Sequence, residues 1–302
     1  MIDTIVRFLL LLAFPPIMLG IVNRVKSVFA GRKGPPILQT WRDIAKLARK
    51  GLVVSSTTTW VFLAGPAVSL ATVLIAGSLV PYGPFRSPFG FTGDVILFAY
   101  LFGLARFFTT SAALDTGSAF EGMGASREVT FAFLTEPALF LALLTLARLS
   151  GSLDLNGILL GPAGGFSSAT AAPLVLVALA LGIVVLAECS RIPVDDPNTH
   201  LELTMIHEVM VLDHSGPLFG AITWAASIKF FVLSTILLHV LLPMSSGNAA
   251  IDWLIFVAGL VAVSVGVGVI ESIMARFRMR RVPWFLTGAL LCSGSAFVLL
   301  VR

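Results

Sequence analysis

The sequence predicts an all-α integral membrane protein with about eight transmembrane helices, and two observations support this fold class. Of the 302 residues, 57% are hydrophobic and only 12% are charged, whereas a soluble domain typically has about 25% charged residues. The apolar residues also fall into runs of roughly 20, the length of a helix that crosses a bilayer. The mean hydropathy of +0.97 agrees with this class.

The apolar runs define the predicted spans in order. The first run lacks the basic leading region and the small-residue cleavage site of a signal peptide, so we expect it to remain as a helix. No internal repeat, long linker or low-complexity tract separates the runs, which predicts a single polytopic domain over residues 1–302. The predicted spans are residues 4–23, 60–80, 93–113, 128–149, 171–189, 218–242, 251–272 and 282–301.

Basic residues mark one side of the membrane. The even-numbered connections between spans contain only Arg86 and Arg148. Because cytoplasmic connections are enriched in Lys and Arg, we predict that the odd-numbered connections are cytoplasmic and that both termini lie outside. The net charge is only +4, and the basic residues cluster at the membrane edges, which argues against a nucleic-acid-binding surface. The odd connections carry Arg24, Lys26, Arg32, Lys33, Arg42, Lys46, Arg49, Lys50, Arg127, Arg191, Arg276, Arg278, Arg280 and Arg281.

The first connection, GRKGPPILQTWRDIAKLARKG, predicts an amphipathic helix in the membrane interface. It begins with a Gly/Pro turn, and apolar residues then recur at helical spacing while basic residues lie elsewhere around the helix. A lipid-surface anchor and a ligand-binding role are both open at this point. The apolar residues are Ile37, Leu38, Trp41, Ile44, Ala45 and Ala48, and the basic ones are Arg42, Lys46, Arg49 and Lys50.

Seven ionisable residues fall within or at the ends of predicted spans, where a charged side chain costs about 2.5 to 3.5 kcal/mol and usually faces a polar interior. Glu128 and Glu136 are eight residues apart and therefore project from nearly the same helix face, as a proton path requires. A first-turn carboxylate stabilised by the helix dipole is the alternative for Glu128, whereas Glu136 precedes Pro137 near mid-span. The seven are Arg106, Glu128, Glu136, Glu188, Lys229, His239 and Glu271.

Three of these residues are harder to interpret. Lys229 lies midway along the sixth span and requires a carboxylate from another helix, either in a structural ion pair or in a proton path. His239 and Glu271 lie near span ends, where solvated or snorkelling side chains are common. We therefore expect His239 and Glu271 to be peripheral.

The connection from Glu188 to Gly216 concentrates titratable groups, which makes proton handling the first hypothesis to test. Pro193 and Pro197 interrupt any helix at its start. The run THLELTMIHEVMVL then predicts a cytoplasmic loop helix, with Thr199 and Glu202 as a capping box. The titratable groups are Glu188, Asp195, Asp196, His200, Glu202, His207, Glu208, Asp213 and His214.

Other chemistries are not indicated. A zinc-protease motif H-E-x-x-H beginning at His207 would need a histidine where Val211 stands. The sequence has no nucleophile elbow, P-loop or dinucleotide fingerprint. Its two cysteines, Cys189 and Cys292, are too few for an iron–sulfur cluster. We therefore predict no catalytic residue, metal or cofactor in this chain.

Four motifs occur in a recognisable order: GRKGPPILQTWRDIAKL after the first span, LDTGSAFEGMGASREV leading into the fourth, TEPAL within it, and IPVDDPNTHLELTMIHEVMVLDHSG after the fifth. Together they resemble the multispan membrane subunit of group 4 membrane-bound nickel–iron hydrogenases. That family includes formate hydrogenlyase and hydrogenase 4 and is similar to the NADH dehydrogenase subunit 1 family of respiratory complex I. The resemblance covers nearly the whole chain.

The resemblance implies a membrane-anchoring and energy-coupling subunit in a prokaryotic cytoplasmic (inner) membrane. It would link electron transfer in a hydrophilic arm to translocation of protons or sodium ions. The nickel–iron centre and the iron–sulfur clusters would belong to partner subunits, namely the hydrogenase large and small subunits and iron–sulfur subunits, with antiporter-like membrane subunits alongside.

The resemblance and the ionisable residues together give three sets of candidate residues. The proton path is assigned to Glu128, Glu136, Glu188, Asp195, Glu202, Asp213 and Lys229, with Arg106, Arg127, His200 and His207 in support. The interface with the arm is assigned to Arg32, Lys33, Trp41, Arg42, Asp43 and Lys46.

Alternative functions remain open at this point. A quinone-site subunit of a complex I-like NADH dehydrogenase is the alternative within the superfamily. Two departures argue against it, because GRKGPP stands where complex I has a GPNR-like sequence and DDPNTHLELTMIHE replaces an EAEQEL-like segment. A proton-coupled solute transporter also predicts buried acids, but it would work without a redox arm. A purely structural anchor would tolerate neutralisation of every acid named above.

Overall fold

The computed structural model describes residues 2–161, 168–196, 205–242 and 246–301. Within these ranges the regular structure is helical, and two 3₁₀ turns, Glu208–Val211 and Met279–Arg281, accompany the α helices. The helices are α1 (Ile2–Ala13), α2 (Pro15–Phe29), α3 (Gln39–Ala48), α4 (Trp60–Leu79), α5 (Asp94–Asp115), α6 (Ala119–Ser150), α7 (Leu155–Leu160), α8 (Ser168–Glu188), α9 (Gly216–Leu241), α10 (Ala249–Ile273) and α11 (Val282–Val301).

These helices confirm the predicted all-α membrane class. In the described part of the chain, seven helices are long and apolar enough to cross a membrane, and the bent pair α1 and α2 makes an eighth if it forms one span. The seven are α4, α5, α6, α8, α9, α10 and α11. The protein is therefore a multi-pass membrane protein.

The first span differs from the continuous helix predicted for residues 4–23. Its two parts, α1 and α2, meet at an angle of 49°. The break lies at Pro15 and Pro16, the first residues of α2. Because proline has no backbone N–H and its ring clashes with the preceding turn, the helical hydrogen bonds stop there. Hydropathy alone does not register such a break.

The fourth span begins earlier than predicted. Helix α6 starts at Ala119 rather than at residue 128 and continues to Ser150. Glu128 therefore lies more than two turns inside the helix, and the interpretation of its carboxylate as a first-turn group is wrong. The early start also places a buried carboxylate, Glu121, in the first turn of α6.

The loop helix predicted from Thr199 to Leu212 is not continuous. The segment 197–204, which holds the predicted capping box, lies outside the described residues. Met205, Ile206 and His207 are not helical, and a single 3₁₀ turn follows them. The backbone N–H of His207 donates to the Asp195 carboxylate at 3.0 Å. The Asp195 side chain therefore accepts the hydrogen bond that the His207 N–H would donate to a backbone carbonyl in a helix.

Hydrogen bonds between connections define two sides of the helix bundle. We call the side with the first, third, fifth and seventh connections the odd side. There the N–H of Phe277 donates to the carbonyl of Pro193 at 2.9 Å, which joins the seventh connection to the fifth. On the opposite, even side, the N–H of Leu155 donates to Asp94 at 2.6 Å, which joins the fourth connection to the second.

Helix α9 is at the centre of the bundle. It packs against α2, α3, α4, α8 and α10. Of an 18-residue apolar stretch of α9, 61% is buried, compared with 22% for the span that contains α11. The predicted amphipathic helix is confirmed as α3, which lies along α9 with Ile44 buried. A charged group on α9 is therefore placed where several other helices can reach it.

Candidate functional site

Arg106 on α5 binds three carboxylates from two other helices. Its Nε lies 2.9 Å from Glu128 Oε1, and its Nη2 lies 2.6 Å from Glu188 Oε1. Its Nη1 also contacts Glu136 Oε1. Glu128 and Glu136 reach Arg106 together because their eight-residue spacing on α6 places them on one face. The Arg106 side chain is only 10% exposed, and those of Glu128 and Glu188 are 10% and 5% exposed, so the ion pairs with these two carboxylates lie inside the protein.

Glu188, the last residue of α8, connects Arg106 to Lys229. Its second carboxylate oxygen lies 2.5 Å from Lys229 Nζ on α9. The hydroxyl of Thr135 on α6 donates to Glu188 Oε1 at 2.9 Å. Glu188 is thus the carboxylate partner that the mid-span position of Lys229 required, and side chains of four helices converge on this point.

Glu128 extends the contacts in the other direction, towards the odd side. Its Oε2 lies 3.1 Å from His207 Nε2. The other ring nitrogen of His207 lies 3.3 Å from Asp195 Oδ2, and Arg276 Nη2 lies 3.2 Å from Asp195 Oδ1. One histidine therefore bridges two carboxylates, one on a span and one in the fifth connection.

The electrostatics of this bridge favour a charged histidine. Burial lowers the pKa of an imidazole, but the Glu128 carboxylate and the hydrogen bond with Asp195 outweigh burial and raise the pKa of His207 to about 10. Burial raises the pKa of Asp195, but hydrogen bonds and charge from His207, with Arg276 nearby, lower it overall. His207 is therefore an imidazolium and Asp195 a carboxylate at neutral pH.

We call this series of contacts the ion-pair chain. Its members alternate in charge, so every buried ion faces an opposite one, which offsets part of the desolvation that burial imposes. Moving a proton onto or off one member changes the electrostatic free energy of its neighbours. The members in order are Lys229, Glu188, Arg106, Glu128, His207, Asp195 and Arg276, with Glu136 as a branch on Arg106.

A cavity of about 290 Å³ lies beside the ion-pair chain. Arg106, Glu128, Glu188, His207 and Lys229 all contribute to its wall, and most of the remaining wall is apolar. The apolar part comes from α2, α4, α5 and α9. The chain is therefore next to a space that can admit water or a small amphipathic molecule.

A second buried ion cluster corrects the prediction for Glu271. Its side chain is fully buried, not solvated, and lies 2.8 Å from Lys26 Nζ and 3.4 Å from Arg191 Nη1. The cluster joins α2 and α10 to the fifth connection. Its position on the odd side reinforces the loop that carries Asp195.

The other candidate residues have varied locations. Arg127 donates to the carbonyl of Met205 at 2.9 Å and so positions the segment before His207. Asp213 is exposed; its backbone N–H donates to Glu121 at 3.1 Å, and its carboxylate is not part of the ion-pair chain. Glu202 and His200 lie outside the described residues.

The predicted interface residues lie on and before α3. Trp41 is half-buried, and its indole N–H donates to the carbonyl of Ala13 at 2.9 Å. The others are exposed, namely Arg32, Lys33, Arg42, Asp43 and Lys46.

Sequence reasoning missed several members of these clusters. In the sequence, Arg276, Arg191 and Lys26 serve only as topology signals, and Glu121, a buried carboxylate outside both clusters, is not among the candidates either. A basic residue in an odd connection can mark the cytoplasmic side or form a buried ion pair. Only the position of an acidic partner distinguishes these two roles. Within the described ranges, no group of three His, Cys, Asp or Glu side chains has an arrangement that could hold a metal ion.

Comparison with known proteins gives consistent matches. The family model described as NADH dehydrogenase matches residues 2–302. The chain is 33% identical over 285 residues to formate hydrogenlyase subunit 4 of Escherichia coli strain K12, with 92% of each chain covered. It is 34% identical over 234 residues to hydrogenase-4 component C of the same strain, with 78% of this chain and 73% of the relative covered.

A solved structure has the same fold. A chain of the membrane-bound sulfane sulfur reductase, an archaeal respiratory membrane complex, superimposes with a TM-score of 0.83 over 99% of both chains at 20% identity. The sequence relatives confirm the resemblance inferred from the four motifs.

Proposed function

The chain belongs to the NADH dehydrogenase family, and from this premise we propose that it is the membrane-anchoring and energy-coupling subunit of a respiratory-type hydrogenase complex. It is not catalytic alone. Electron transfer takes place in a hydrophilic arm whose subunits hold the nickel–iron centre and iron–sulfur clusters. This chain links that electron transfer to translocation of protons or sodium ions.

The observation that carries the proposal is the ion-pair chain. It runs from Asp195 and Arg276, in connections on the odd side, to Lys229 in the middle of the most buried span. A buried ion pair or triad can be purely structural, because unpaired burial is costly. Seven alternating charges with shared partners instead give a route along which a change at one end alters protonation at the other.

The coupling step follows from the geometry of His207. Its two ring nitrogens contact Glu128 and Asp195 at the same time. A displacement of the fifth connection that weakens either contact lowers the proton affinity of the His207 imidazole and favours loss of the positive charge that faces Glu128. Since two unit charges about 4 Å apart interact by roughly 4 kcal/mol at an effective dielectric of 20, this change propagates to Arg106 and Glu188.

The exposure of Glu136 supports a neighbouring membrane subunit. Its side chain is 49% exposed although it lies near the middle of α6. A carboxylate facing hydrocarbon costs about 2.5 to 3.5 kcal/mol, so this face is best covered by protein. An antiporter-like subunit that presents a polar group to Glu136 would extend the proton path from the ion-pair chain into the neighbouring subunit.

The basic surface around α3 supports docking of the hydrophilic arm. Arg32, Lys33, Arg42 and Lys46 are exposed on the odd side, which the positive-inside rule assigns to the cytoplasm. The hydrogenase large and small subunits and the iron–sulfur subunits would contact this surface. The chain would then reside in the prokaryotic inner membrane with both termini outside.

The proposal is tested by Glu128→Gln in the assembled complex, with Glu121→Gln as the matched control. Both residues are buried carboxylates on α6, seven positions apart, but Glu121 is not a member of the ion-pair chain. Hydrogen evolution and uptake of protons or sodium ions are measured together in inverted membrane vesicles. We expect Glu128→Gln to lower ions moved per hydrogen by roughly tenfold or more, because losing a positioned proton carrier typically costs at least that.

The control separates coupling from folding. Glu121→Gln should assemble and keep the ratio of ions to hydrogen near the unmodified value. If Glu128→Gln assembles and also keeps that ratio, the ion-pair chain is structural and the proposal is wrong.

A quinone-site subunit is a second candidate, and the cavity of about 290 Å³ favours it. The wall of the cavity is mostly apolar and also includes charged groups, a combination that suits the tail and the head group of a quinone. Photolabelling with an azidoquinone distinguishes the two functions. Labelling of cavity residues that unlabelled quinone prevents would support the quinone function, and its absence would leave the hydrogenase function.

A further inference from the structure

The break in the first span leaves backbone carbonyls without helical donors. In an uninterrupted helix, the N–H groups of residues 15 and 16 would bond to the carbonyls of Leu11 and Leu12. Both positions are prolines and have no N–H to donate. The next amide, of Ile17, bonds to the carbonyl of Phe14 rather than to that of Ala13. The end of α1 is therefore short of donors within the first predicted span, and unpaired backbone groups are costly in hydrocarbon.

Two tryptophans on two different helices supply two of the missing donors. The indole N–H of Trp224 on α9 donates to the carbonyl of Leu12 at 3.2 Å, and that of Trp41 on α3 donates to the carbonyl of Ala13 at 2.9 Å. The two indole rings also contact each other, with centroids 5.9 Å apart. The bend thus unites α1, α3 and α9 at one point.

The segments that flank α3 on both sides are held closely by neighbouring elements. A Cβ atom on Gly20 of α2 would lie 1.9 Å from the carbonyl oxygen of Ile37, so only glycine permits this approach. Beyond α3, the Ser215 hydroxyl accepts from the N–H of Val53 at 3.1 Å and donates to its carbonyl at 3.0 Å. A displacement of α3 is therefore passed to α2 and to the start of α9 rather than absorbed by a loose connection.

Helix α9 leads from this contact to the ion-pair chain. Lys229 is five residues after Trp224 on α9, which is about 7.5 Å along the helix axis. Its Nζ lies 2.5 Å from Glu188, a distance that a shift of one ångström would alter substantially. Trp224 is therefore close enough to change the last ion pair if α9 moves.

We propose that Trp41 and Trp224 are positioning residues that transmit displacement of α3 to Lys229. This inference rests on the proposed function, in which α3 contacts the hydrophilic arm. The two indole N–H hydrogen bonds fix the position of the bend at the end of α1 relative to α3 and α9. A change in the arm that shifts α3 then shifts α9 and the contact between Lys229 and Glu188.

The test replaces the donors while keeping an aromatic ring. Trp41→Phe and Trp224→Phe remove the indole N–H, and Trp284→Phe on the exposed face of α11 is the matched control. Each is made in the full complex, and ions moved per hydrogen is measured beside the rate of hydrogen evolution. Spin labels at two exposed positions, Leu9 on α1 and Phe29 on α2, report the bend through their distance distribution.

We expect the ratio of ions to hydrogen to fall by about fivefold in both Phe variants, and Trp224→Phe, which lies outside the predicted arm interface, to assemble and evolve hydrogen at near the unmodified rate. One lost hydrogen bond shifts a local equilibrium by a factor of this size. The label distances should broaden in both variants, and Trp284→Phe should change neither readout.

Three results would overturn the inference. The first is an unchanged ion ratio in both Phe variants, and the second is a reduced ratio with unchanged label distances. The third is failure of Trp224→Phe to assemble, because the N–H bonds would then serve folding. If Glu128→Gln uncouples the complex but the Phe variants do not, the proposed function stands and only this inference fails.

Discussion

The two sides of the helix bundle both bury charged and polar groups, but they satisfy them differently. On the even side, Arg7 donates to the carbonyls of Ser78, Val80 and Arg86 and lies over the Tyr82 ring. Asp94 accepts from the backbone N–H groups of Phe91 and Leu155. On the odd side, Arg106 faces three carboxylates instead.

The difference lies in whether the partners can titrate. Backbone N–H and carbonyl groups do not change protonation, so the even-side clusters act as fixed caps that tie connections to helix ends. Side-chain carboxylates and an imidazole do change protonation, and each change is felt by the next partner. Burial of charge alone therefore does not identify a functional site in this protein; the chemistry of the partners does.

The largest expected difference between the two sides comes from paired arginine substitutions. Arg106→Met leaves three carboxylates facing one another, and removing one partner of a buried ion pair typically costs about 3 to 5 kcal/mol. Arg7→Met removes hydrogen bonds to carbonyls, for which we expect about 1 to 3 kcal/mol. Thermal unfolding of the purified subunit measures both losses.

The two variants should differ more in the ratio of ions to hydrogen than in the free energy of unfolding. Arg106→Met is expected to abolish ion movement in whatever complex still assembles, whereas Arg7→Met should retain the ratio of ions to hydrogen. A loss of coupling in assembled Arg7→Met would remove the distinction between fixed and titrating clusters.

A smaller effect is expected from pH, through His207. Its folded pKa of about 10 is above the ordinary value of 6.5, so its contacts stabilise the folded protein fully below about pH 6.5 and lose that contribution as the pH rises through about 10. His207→Gln should therefore lower the unfolding temperature most at low pH. Unfolding scans from about pH 6 to pH 10 test this.

The even side provides the control for this pH dependence. Arg7 itself does not change protonation in this range, so the unfolding temperature of Arg7→Met should follow that of the unmodified protein at a nearly constant offset. A constant offset for His207→Gln as well would mean that folding does not raise the pKa of His207.

The sequence predicted the spans well because the bilayer imposes a length of about 20 apolar residues on each. It also singled out Arg106, Glu128, Glu136, Glu188 and Lys229 because each breaks an apolar run. It did not predict which of them meet, since Arg106 and Glu188 are 82 positions apart.

Residues outside the apolar runs were harder to place. Arg276 and Lys26 resemble ordinary topology signals in the sequence, because a basic residue near a span end is common on the cytoplasmic side. Glu271 was expected to be solvated for the same reason, yet it is buried between Lys26 and Arg191. Proximity to a span end does not reveal whether a connection folds back over it.

Glu136 offers a way to sharpen the comparison at the edge of the odd-side cluster. Because half of its side chain is exposed, Glu136→Gln should change the unfolding temperature of the isolated subunit little. In the complex it should weaken association with the neighbouring membrane subunit by about 0.6 to 2 kcal/mol, as for other polar contacts between membrane helices.

Retention of the other membrane subunits during purification in detergent measures the effect of Glu136→Gln. Glu121→Gln on the same helix is the control, because its carboxylate is buried. Equal retention of partners in both variants would show that lipid or water, rather than protein, faces Glu136.

The smallest effect is expected for Asp213→Asn. The sequence placed this residue on the acidic path, but its side chain is exposed and its described contact is made by the backbone N–H, which bonds to Glu121. An exposed substitution typically changes stability by less than about 0.5 kcal/mol, and asparagine keeps the backbone contact. We therefore expect unchanged unfolding and an unchanged ratio of ions to hydrogen in the assembled complex. A fall in that ratio would mean that an exposed carboxylate outside the ion-pair chain carries protons, and partner chemistry would then no longer separate functional from structural charges.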